Sequence, residues 1–370
     1  MGEATPAFQS DRRLRWYRPR IDRKELTALS RRSDLRGFVQ ALGHLGLWGL
    51  TGALAYTAFL QVSAANWFWS VPLLYVALFA HGSVGGFMGG ASCHELGHRT
   101  AFRTRALNDL FLKVFAFFSW WDHVGFRPSH IKHHQHTTFH DHDGEVVLPL
   151  ELSLADWQLW LQQFAWNPVH TWNLIRVNAK RAMGHMDNPW HEFCMPPEKV
   201  DVRRRHRNRA RLLLVGHALL AVVFIATGHW FLIFIVNLGT QYCSLLSGLC
   251  GIPQHFGMQP DVPDHRLCCR TYITRGLPAF LYWNMQYHVE HHMFPSVPFF
   301  NLPRLRKVIE RELPPARRGL RATWAHILEV RRRQQADSDY YYVPQLPVDA
   351  GGERASDLDL EQEASGSPTS

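Results

Sequence analysis

The sequence predicts an all-helical integral membrane protein, with four transmembrane helices in two hairpins and a helical cap in the cytosol. Lys and Arg are absent from residues 37–98 and again from residues 212–265 of the 370-residue chain. Each stretch is long enough for two helices of about 20 apolar residues, the length that crosses a bilayer. Basic residues flank both stretches, and positive charge beside an apolar span favours the cytosolic side of the membrane.

Short polar breaks divide the two apolar stretches. The breaks at residues 61–66 and 227–229 contain no Lys or Arg, whereas the N-terminus and the regions that follow each hairpin are basic. The charge rule therefore places both termini and the cap in the cytosol. We predict spans over residues 37–60, 67–90, 212–228 and 230–250, and a cap formed by residues 91–211 and 251–335.

Both ends of the chain are polar. Residues 1–36 are rich in Arg and lack the apolar region of a signal peptide, so we predict a cytosolic basic segment. Residues 37–335 form the predicted membrane domain. Residues 336–370 end in an acidic tail rich in Gly and Ser, a composition typical of disordered segments. The host membrane is either the endoplasmic reticulum or a bacterial inner membrane, because both offer the same cytosolic face.

The charge and the cysteines exclude two classes of protein. A net charge of +9 is common in nucleic-acid-binding proteins, but here the basic residues crowd beside the apolar stretches and no nucleic-acid-reading motif is present. We therefore predict no nucleic-acid partner. The six cysteines form no CxxC pair, and several lie in or beside apolar segments. This pattern argues against a disulfide framework and against a zinc–thiolate site.

Three histidine clusters lie on the predicted cytosolic side. The first is HELGH, whose His94 and His98 share one face of a helix because they are four residues apart. The second and third clusters both have the form HxxHH, which places three histidines on one side of a helix. They comprise His130, His133, His134, His288, His291 and His292. The distribution of Lys and Arg, which is a separate argument, places all three clusters on the same side of the membrane. Together the clusters predict a shared metal site.

The number of histidines indicates the kind of metal site. Imidazole binds zinc, copper, iron and nickel, so the ligand type alone leaves the metal open. A single zinc ion needs three or four ligands, whereas the clusters supply eight histidines and His255 would be a ninth. We therefore predict two metal ions. Redox-active iron with open positions would activate O2, which attack on an unactivated carbon requires.

The three clusters, in this order, resemble those of membrane-bound fatty acid desaturases and related hydroxylases, whose mark is HxxxH or HxxxxH followed by two HxxHH motifs. The resemblance covers residues 16–314 and includes the ending HVEHHMFPSVPFFNLP. It implies a four-helix membrane stem and a cytosolic cap that holds two non-haem irons almost wholly by histidine. The eight clustered histidines would be ligands, and His255 corresponds to an extra histidine of the family.

The resemblance also implies partners and chemistry. A lipid chain would be the substrate and O2 the co-substrate. The haem signature HPGG of a fused cytochrome b5 is absent from the sequence, so an external donor of the cytochrome b5 or ferredoxin type would supply electrons. Asn284, one turn before His288, stands where acyl-CoA desaturases place an asparagine near the metal. Independently of the resemblance, Glu95 and Glu290 stand in matching places beside clustered histidines, so they would orient imidazoles from outside the ligand set or be solvated carboxylates.

Several alternatives stay open. Abstraction of one hydrogen followed by loss of a second would leave a double bond, whereas oxygen transfer would make a hydroxylase. HELGH also matches the HExxH motif of zinc proteases, with Glu95 as the general base, although that chemistry leaves the second and third clusters without a role. A metal transporter is a weaker option, because transport ligands usually lie within the spans. We interpret Asp143 and Glu145, just past the second cluster, as part of a solvated loop.

Overall fold

The computed structural model describes residues 8, 14–148, 150 and 152–347, so most of the predicted acidic tail lies outside the described residues. The described chain is mostly helical, which confirms the predicted class. The α-helices are Arg23–Leu29, Asp34–Leu60, Trp67–Gly85, His94–His98, Arg105–Phe118, His123–Gln135, Trp157–Phe164, Pro168–Met183, Pro189–Cys194, Val200–Ala226, Leu245–Gly251, His265–Cys268, Leu277–Leu281, His288–Met293, Leu302–Ile309 and Leu320–Ala336. The short π and 3-10 helices are Met88–Cys93, Ile233–Asn237, Ile252–Gln254, Phe299–Asn301 and Glu310–Glu312. The strands Tyr272–Ile273 and Arg317–Arg318 pair in parallel.

Two helical segments are long and apolar enough to cross a membrane, namely Trp67–His98 and Val200–Ala226. Large apolar side chains on both are exposed, as illustrated by Val76 at 63% and Val222 at 62%. Exposed apolar surface of this extent marks contact with lipid or with another protein. The two segments agree with the prediction of a membrane protein at this coarse level.

The polar break at residues 61–66 is a tight turn between two packed helices. The helices Asp34–Leu60 and Trp67–Gly85 contact each other along their length. Asn66 closes the turn, since its side chain accepts a hydrogen bond from the backbone of Ser63. A π-helical stretch then continues the second helix without interruption to the first histidine cluster.

The third apolar helix begins earlier than the predicted start at residue 212. It spans Val200–Ala226 and includes the arginine-rich run that precedes the apolar residues. Arg209 in this run is buried and donates hydrogen bonds to the side chain of Asn178 and the carbonyl of Trp120. These bonds attach the base of the helix to the cap.

The segment predicted as the fourth span, residues 230–250, differs from the single helix that we expected. It contains the π-helix Ile233–Asn237 and the helix Leu245–Gly251, separated by a non-helical stretch. The intervening residues 238–244 include Gly, Thr and Ser, which favour a helix less than leucine does. Gln241 in this stretch donates a hydrogen bond to the carbonyl of Ser119, so tertiary contacts replace helical ones.

The largest apolar core joins the predicted spans to the cap. Leu96, Val289 and Met293 belong to this core. In the sequence these residues alternate with histidines of the first and third clusters. The helices that carry these clusters therefore pack against the core through apolar side chains, and their histidines are not part of that core.

Candidate metal centre

The three histidine clusters lie on three separate helices. These are His94–His98, His123–Gln135 and His288–Met293. Within each cluster, the ring centroids of the histidines four positions apart are separated by 4.5 to 5.1 Å. The helical spacing thus brings each pair to one side of its helix.

Asp109 holds the first and second clusters together. Arg99 ends the first helix in a left-handed conformation, with φ at 61°, and its guanidinium donates to Asp109 at 2.9 and 3.0 Å. Arg127, on the helix of the second cluster, reaches the same carboxylate at 3.3 Å and the carbonyl of Gly97 at 3.1 Å. One carboxylate therefore joins both helices.

Asp122 fixes the start of the second helix. Its Oδ1 accepts the backbone N–H of Gly125 at 3.1 Å, and its Oδ2 lies 2.6 Å from Nε2 of His206. Burial alone would raise the pKa of Asp122. The hydrogen bond from His206 and the charges of Arg209 and Arg181 outweigh burial and hold that pKa well below its ordinary value. The ionised carboxylate caps the helix.

The third helix is fixed by Thr271 and Glu290. The hydroxyl oxygen of Thr271 accepts the backbone N–H of Val289 at 3.1 Å. The same hydroxyl donates to Oε2 of Glu290 at 2.5 Å, while Arg306 donates to Oε1 at 2.5 Å. These contacts set the position of the third cluster from the side away from the other histidines.

Five histidines drawn from all three clusters form one group. Their ligand nitrogens all lie within 4.8 Å of one another. Nε2 of His130 is 3.0 Å from Nε2 of His98 and 3.0 Å from Nε2 of His134. Two nitrogens bound to one ion at about 2.1 Å and at a right angle would be about 3.0 Å apart. The group fits one shared ion. Its members are His94, His98, His130, His134 and His291.

A second group lies beside the first. It contains His255, His288, His292 and Cys269. Nε2 of His288 is 2.8 Å from that of His255 and 3.1 Å from that of His292. His133 completes this side, with its ring centroid 4.9 Å from His292 and 5.2 Å from His255. The ligand atoms of eight histidines fall in these two groups, and with His133 assigned to the second by its ring distances the nine predicted histidines divide into five and four.

Unpartnered ring nitrogens mark the first group. His291 is fully buried, and neither of its nitrogens has a hydrogen-bond partner among the described residues. Nδ1 of His94 and Nδ1 of His134 are also without a partner there. A buried polar atom left unpaired costs free energy, and a metal ion would give one of the two nitrogens of His291 a partner. The donor set suits such an ion, because imidazole is a ligand of transition metals.

Two carboxylates orient the second cluster from outside. Nδ1 of His130 lies 2.6 Å from Oε1 of Glu145, and Nδ1 of His133 lies 2.8 Å from Oδ2 of Asp143. A carboxylate that accepts from Nδ1–H leaves the lone pair of Nε2 free for a metal. The expectation that Asp143 and Glu145 lie in a solvated loop is therefore wrong. Asp143 is only 3% exposed, because the chain folds back over the cluster.

His255 and His288 also have partners at Nδ1. Nδ1 of His255 lies 3.1 Å from the carbonyl oxygen of Cys268, which can only accept. Nδ1 of His288 lies 3.0 Å from the side-chain amide of Gln254. Both rings thus have Nε2 toward the second group. Gln254 and Cys269 were not singled out from the sequence, since neither belongs to a histidine motif.

Burial sets the charge of the clustered imidazoles in the cap. Because water is excluded, the pKa is lowered well below the ordinary value for His130, His134, His288, His291 and His292. Burial also acts on His133, but the Asp143 carboxylate outweighs it and raises the pKa of His133. A neutral imidazole offers a lone pair to a metal, whereas a protonated one does not.

The three residues predicted to lie just outside the ligand set have other partners. Glu95 accepts from the hydroxyl of Thr100 at 2.5 Å and from the backbone of Phe299 at 3.2 Å. Glu290 has the partners described above, and Asn284 donates to the carbonyl of Phe299 at 3.2 Å. In the described part of the chain none of the three bonds to an imidazole. Each instead ties two segments of the cap together.

Comparison with known proteins gives a family match and several relatives. Residues 71–324 match the family model of the fatty acid desaturases. The chain is 25% identical over 261 residues to a sphingolipid delta(4)-desaturase of Komagataella phaffii, covering 67% of this chain and 66% of that protein. It is 27% identical over 249 residues to the human sphingolipid delta(4)-desaturase/C4-monooxygenase DES2, covering 64% and 67%. The bovine DES2 is 31% identical over 91 residues, covering 23% and 28%. The chain thus spans about two thirds of the length of the first two relatives.

Proposed function

The chain belongs to the fatty acid desaturase family, and we propose that it is a membrane-bound di-iron oxidoreductase that uses O2 and external electrons to introduce a double bond into a lipid chain. The observation that supports this most is the division of nine imidazoles into two adjacent groups. One zinc ion uses three or four ligands, which leaves most of these histidines unexplained. When bound, two irons supply the O2 activation that attack on an unactivated carbon requires.

The protein's own part is to hold and orient the imidazoles. Glu145 and Asp143 fix the Nδ1 side of His130 and His133, so that Nε2 of each ring is presented to a metal. The two carboxylates also place negative charge next to the ligands, which favours a cation in the centre. The apolar core around the first and third clusters limits water near the site.

A sphingolipid chain is the substrate that we propose. The relatives from yeast and human are named as desaturases of sphingolipids at the delta(4) position. The external electron donor would be of the cytochrome b5 or ferredoxin type.

Hydroxylation is the second candidate function. It is supported by human DES2, which is named both as a desaturase and as a C4-monooxygenase. Both reactions start by removing a hydrogen from the same chain, so the same ligands serve either one. The position of the second carbon relative to the metals would decide the product, because reactivity depends on near-attack geometry.

The zinc-protease alternative fits less well. His94 and His98 share their group with three further histidines, whereas the HExxH motif needs its pair plus one more ligand. Glu95, which would be the general base, is buried and bonded to Thr100 and to the backbone of Phe299. Both bonds reach Oε1, and the whole side chain is shut off from bulk water, which a protease base would have to activate.

We also propose that the cap and both termini lie in the cytosol. His255 lies 2.8 Å from His288 in the cap, so the chain that leaves the cap along Val200–Ala226 has to return before residue 255. Residues 230–250 would make that return despite their irregular backbone. Such a backbone is tolerated at membrane depth where it is buried in protein, and Asn237 and Gln241 in this segment are buried.

Lipid analysis of cells that express the full chain tests the proposal. A sphingolipid lighter by two hydrogens would mean desaturation, and one heavier by one oxygen would mean hydroxylation. His134→Ala should abolish either product, whereas the exposed His140, which pairs with Asp261, provides the matched control His140→Ala. Purified protein that holds one zinc and works without O2 would contradict the proposal.

A further inference from the structure

A basic cavity lies beside the third cluster, and Cys269 of the second group forms part of its lining. Its volume is about 30 Å³, and it is partly open to solvent. Arg270, Arg306, Arg317 and His326 line it, and none of the lining residues is acidic. The three arginines bring positive charge from three separate segments of the chain, and His326 adds an imidazole from a fourth.

Arg270 is the deepest cation in this cavity. It is 6% exposed, and its Nη1 donates to the carbonyls of Pro253 and Phe256 at 2.5 and 2.9 Å. Nε and Nη2 of the same guanidinium have no hydrogen-bond partner in the described structure. Guanidinium stays charged in proteins, and leaving its donors buried without partners is costly. An acceptor bound in the cavity would form hydrogen bonds with these two donors and remove that cost.

His326 faces the same space from the helix Leu320–Ala336. It is 6% exposed, and neither ring nitrogen has a partner among the described residues. Burial and then the charges of Arg270 and Arg317 lower the pKa of His326 to about 4, and Glu329 opposes this shift. Burial is the larger of these causes, and the two arginines add to it because they lie near the ring.

The other two cations, Arg306 and Arg317, differ in whether they form an ion pair. Arg306 is paired with the buried Glu290. Arg317 is exposed and forms no ion pair with any described residue. Arg270, Arg317 and His326 thus leave donors available around one space. An anion with three or more acceptor oxygens would satisfy donors that converge from different directions.

We propose that this cavity binds a phosphate-type oxyanion, either free phosphate or the phosphate group of a lipid. Phosphate suits the cavity better than a carboxylate does, because a carboxylate has two oxygens and the donors come from three segments. The site shares a wall with the third cluster, since Cys269, Thr271 and Val289 also line the cavity. Its ligand would therefore lie beside the helix that carries His288 but would not bind the metals.

Titration of the purified full chain with inorganic phosphate, at constant ionic strength against chloride, tests the proposal. We expect saturable binding by calorimetry. Arg317→Gln should weaken it about tenfold, the usual effect of losing one charge-assisted contact. Arg318→Gln is the matched control, because Arg318 is exposed in the same strand but does not line the cavity. His326→Gln provides a second variant on another segment.

Two results would overturn the proposal. One is the absence of saturable phosphate binding to the wild-type chain. The other is equal weakening by Arg317→Gln and Arg318→Gln, which would mean that net charge alone attracts phosphate. Competition with a short-chain phosphatidic acid identifies the source: tighter binding than inorganic phosphate means a lipid phosphate, and weaker binding means free phosphate. This readout needs no iron and no turnover, so it is independent of the proposed reaction.

Discussion

Oδ2 of Asp143 lies 2.8 Å from Nδ1 of His133 and also accepts the backbone N–H of Thr138 at 2.9 Å. The carboxylate is thus fixed from two directions inside the cap. A carboxylate held this way fixes the tautomer and the orientation of the imidazole that it contacts. Asp143 acts on the proposed metal site without belonging to the ligand set.

Asp143→Asn should weaken iron binding or turnover by about 10- to 100-fold, the usual effect of losing an outer partner of a ligand. Asparagine keeps the size of the side chain but removes its charge, so the fold should persist. Iron affinity in competition with a chelator measures the effect. Asp141→Asn is the control, because Asp141 is exposed two residues away. Equal losses in both variants would show that Asp143 has no special role.

The five-and-four division of the histidines predicts which iron each ligand holds. His291→Ala removes a member of the first group, and His255→Ala removes a member of the second. Each variant should lose about half of the bound iron but all of the turnover, since the chemistry uses both metals. Metal analysis of the purified variants, with lipid analysis beside it, measures both effects. Full iron content in either variant would remove that histidine from the ligand set.

Metal removal should destabilise the whole protein. An ion that binds only the folded state stabilises it by about 2.7 kcal/mol when the free ion is at a hundred times its Kd. Chelation should therefore lower the thermal midpoint of the wild-type chain. In His134→Ala the midpoint should respond less to the chelator, because one ligand of the first group is already missing. An unchanged wild-type midpoint would argue against a structural contribution of the metals.

The histidine clusters were predictable because their signal is local. Residues four apart share a helix face wherever the helix lies, so His94 and His98 meet by sequence spacing alone. The contact between His255 and His288 spans 33 positions, and spacing does not predict it. The resemblance to desaturases gave His255, because the family places a histidine there.

The outer partners were missed because their signal is tertiary. Glu145 lies 15 positions from His130, at no helical spacing, and acidic residues in a polar segment look solvated in the sequence. The fourth span was wrongly predicted as one continuous helix for a similar reason. The average hydropathy of residues 230–250 contains no information about the hydrogen bond between Gln241 and Ser119, which lies on another segment.

Asp122 joins the start of the second helix to several buried cations. Besides His206, it lies 3.9 Å from Arg209 and 3.8 Å from Arg181. Its pKa is lowered in the folded state, so its contribution to stability is present above about pH 4 and is lost as the pH falls further. The carboxylate thus connects the start of the second helix to the helices Pro168–Met183 and Val200–Ala226.

Asp122→Asn should lower the free energy of unfolding by about 3 kcal/mol, because removing the charge leaves buried cations without their anion. Asparagine can still accept the N–H of Gly125, so the helix cap should survive and the loss should come from the pairing with His206 and Arg209. Asp201→Asn is the control. Asp201 pairs with Arg204 at the exposed start of the helix Val200–Ala226, which also carries His206 and Arg209. Thermal unfolding of both variants at pH 7, with iron removed, separates this effect from metal binding. Equal stability of the two variants would mean that Asp122 acts as a cap alone.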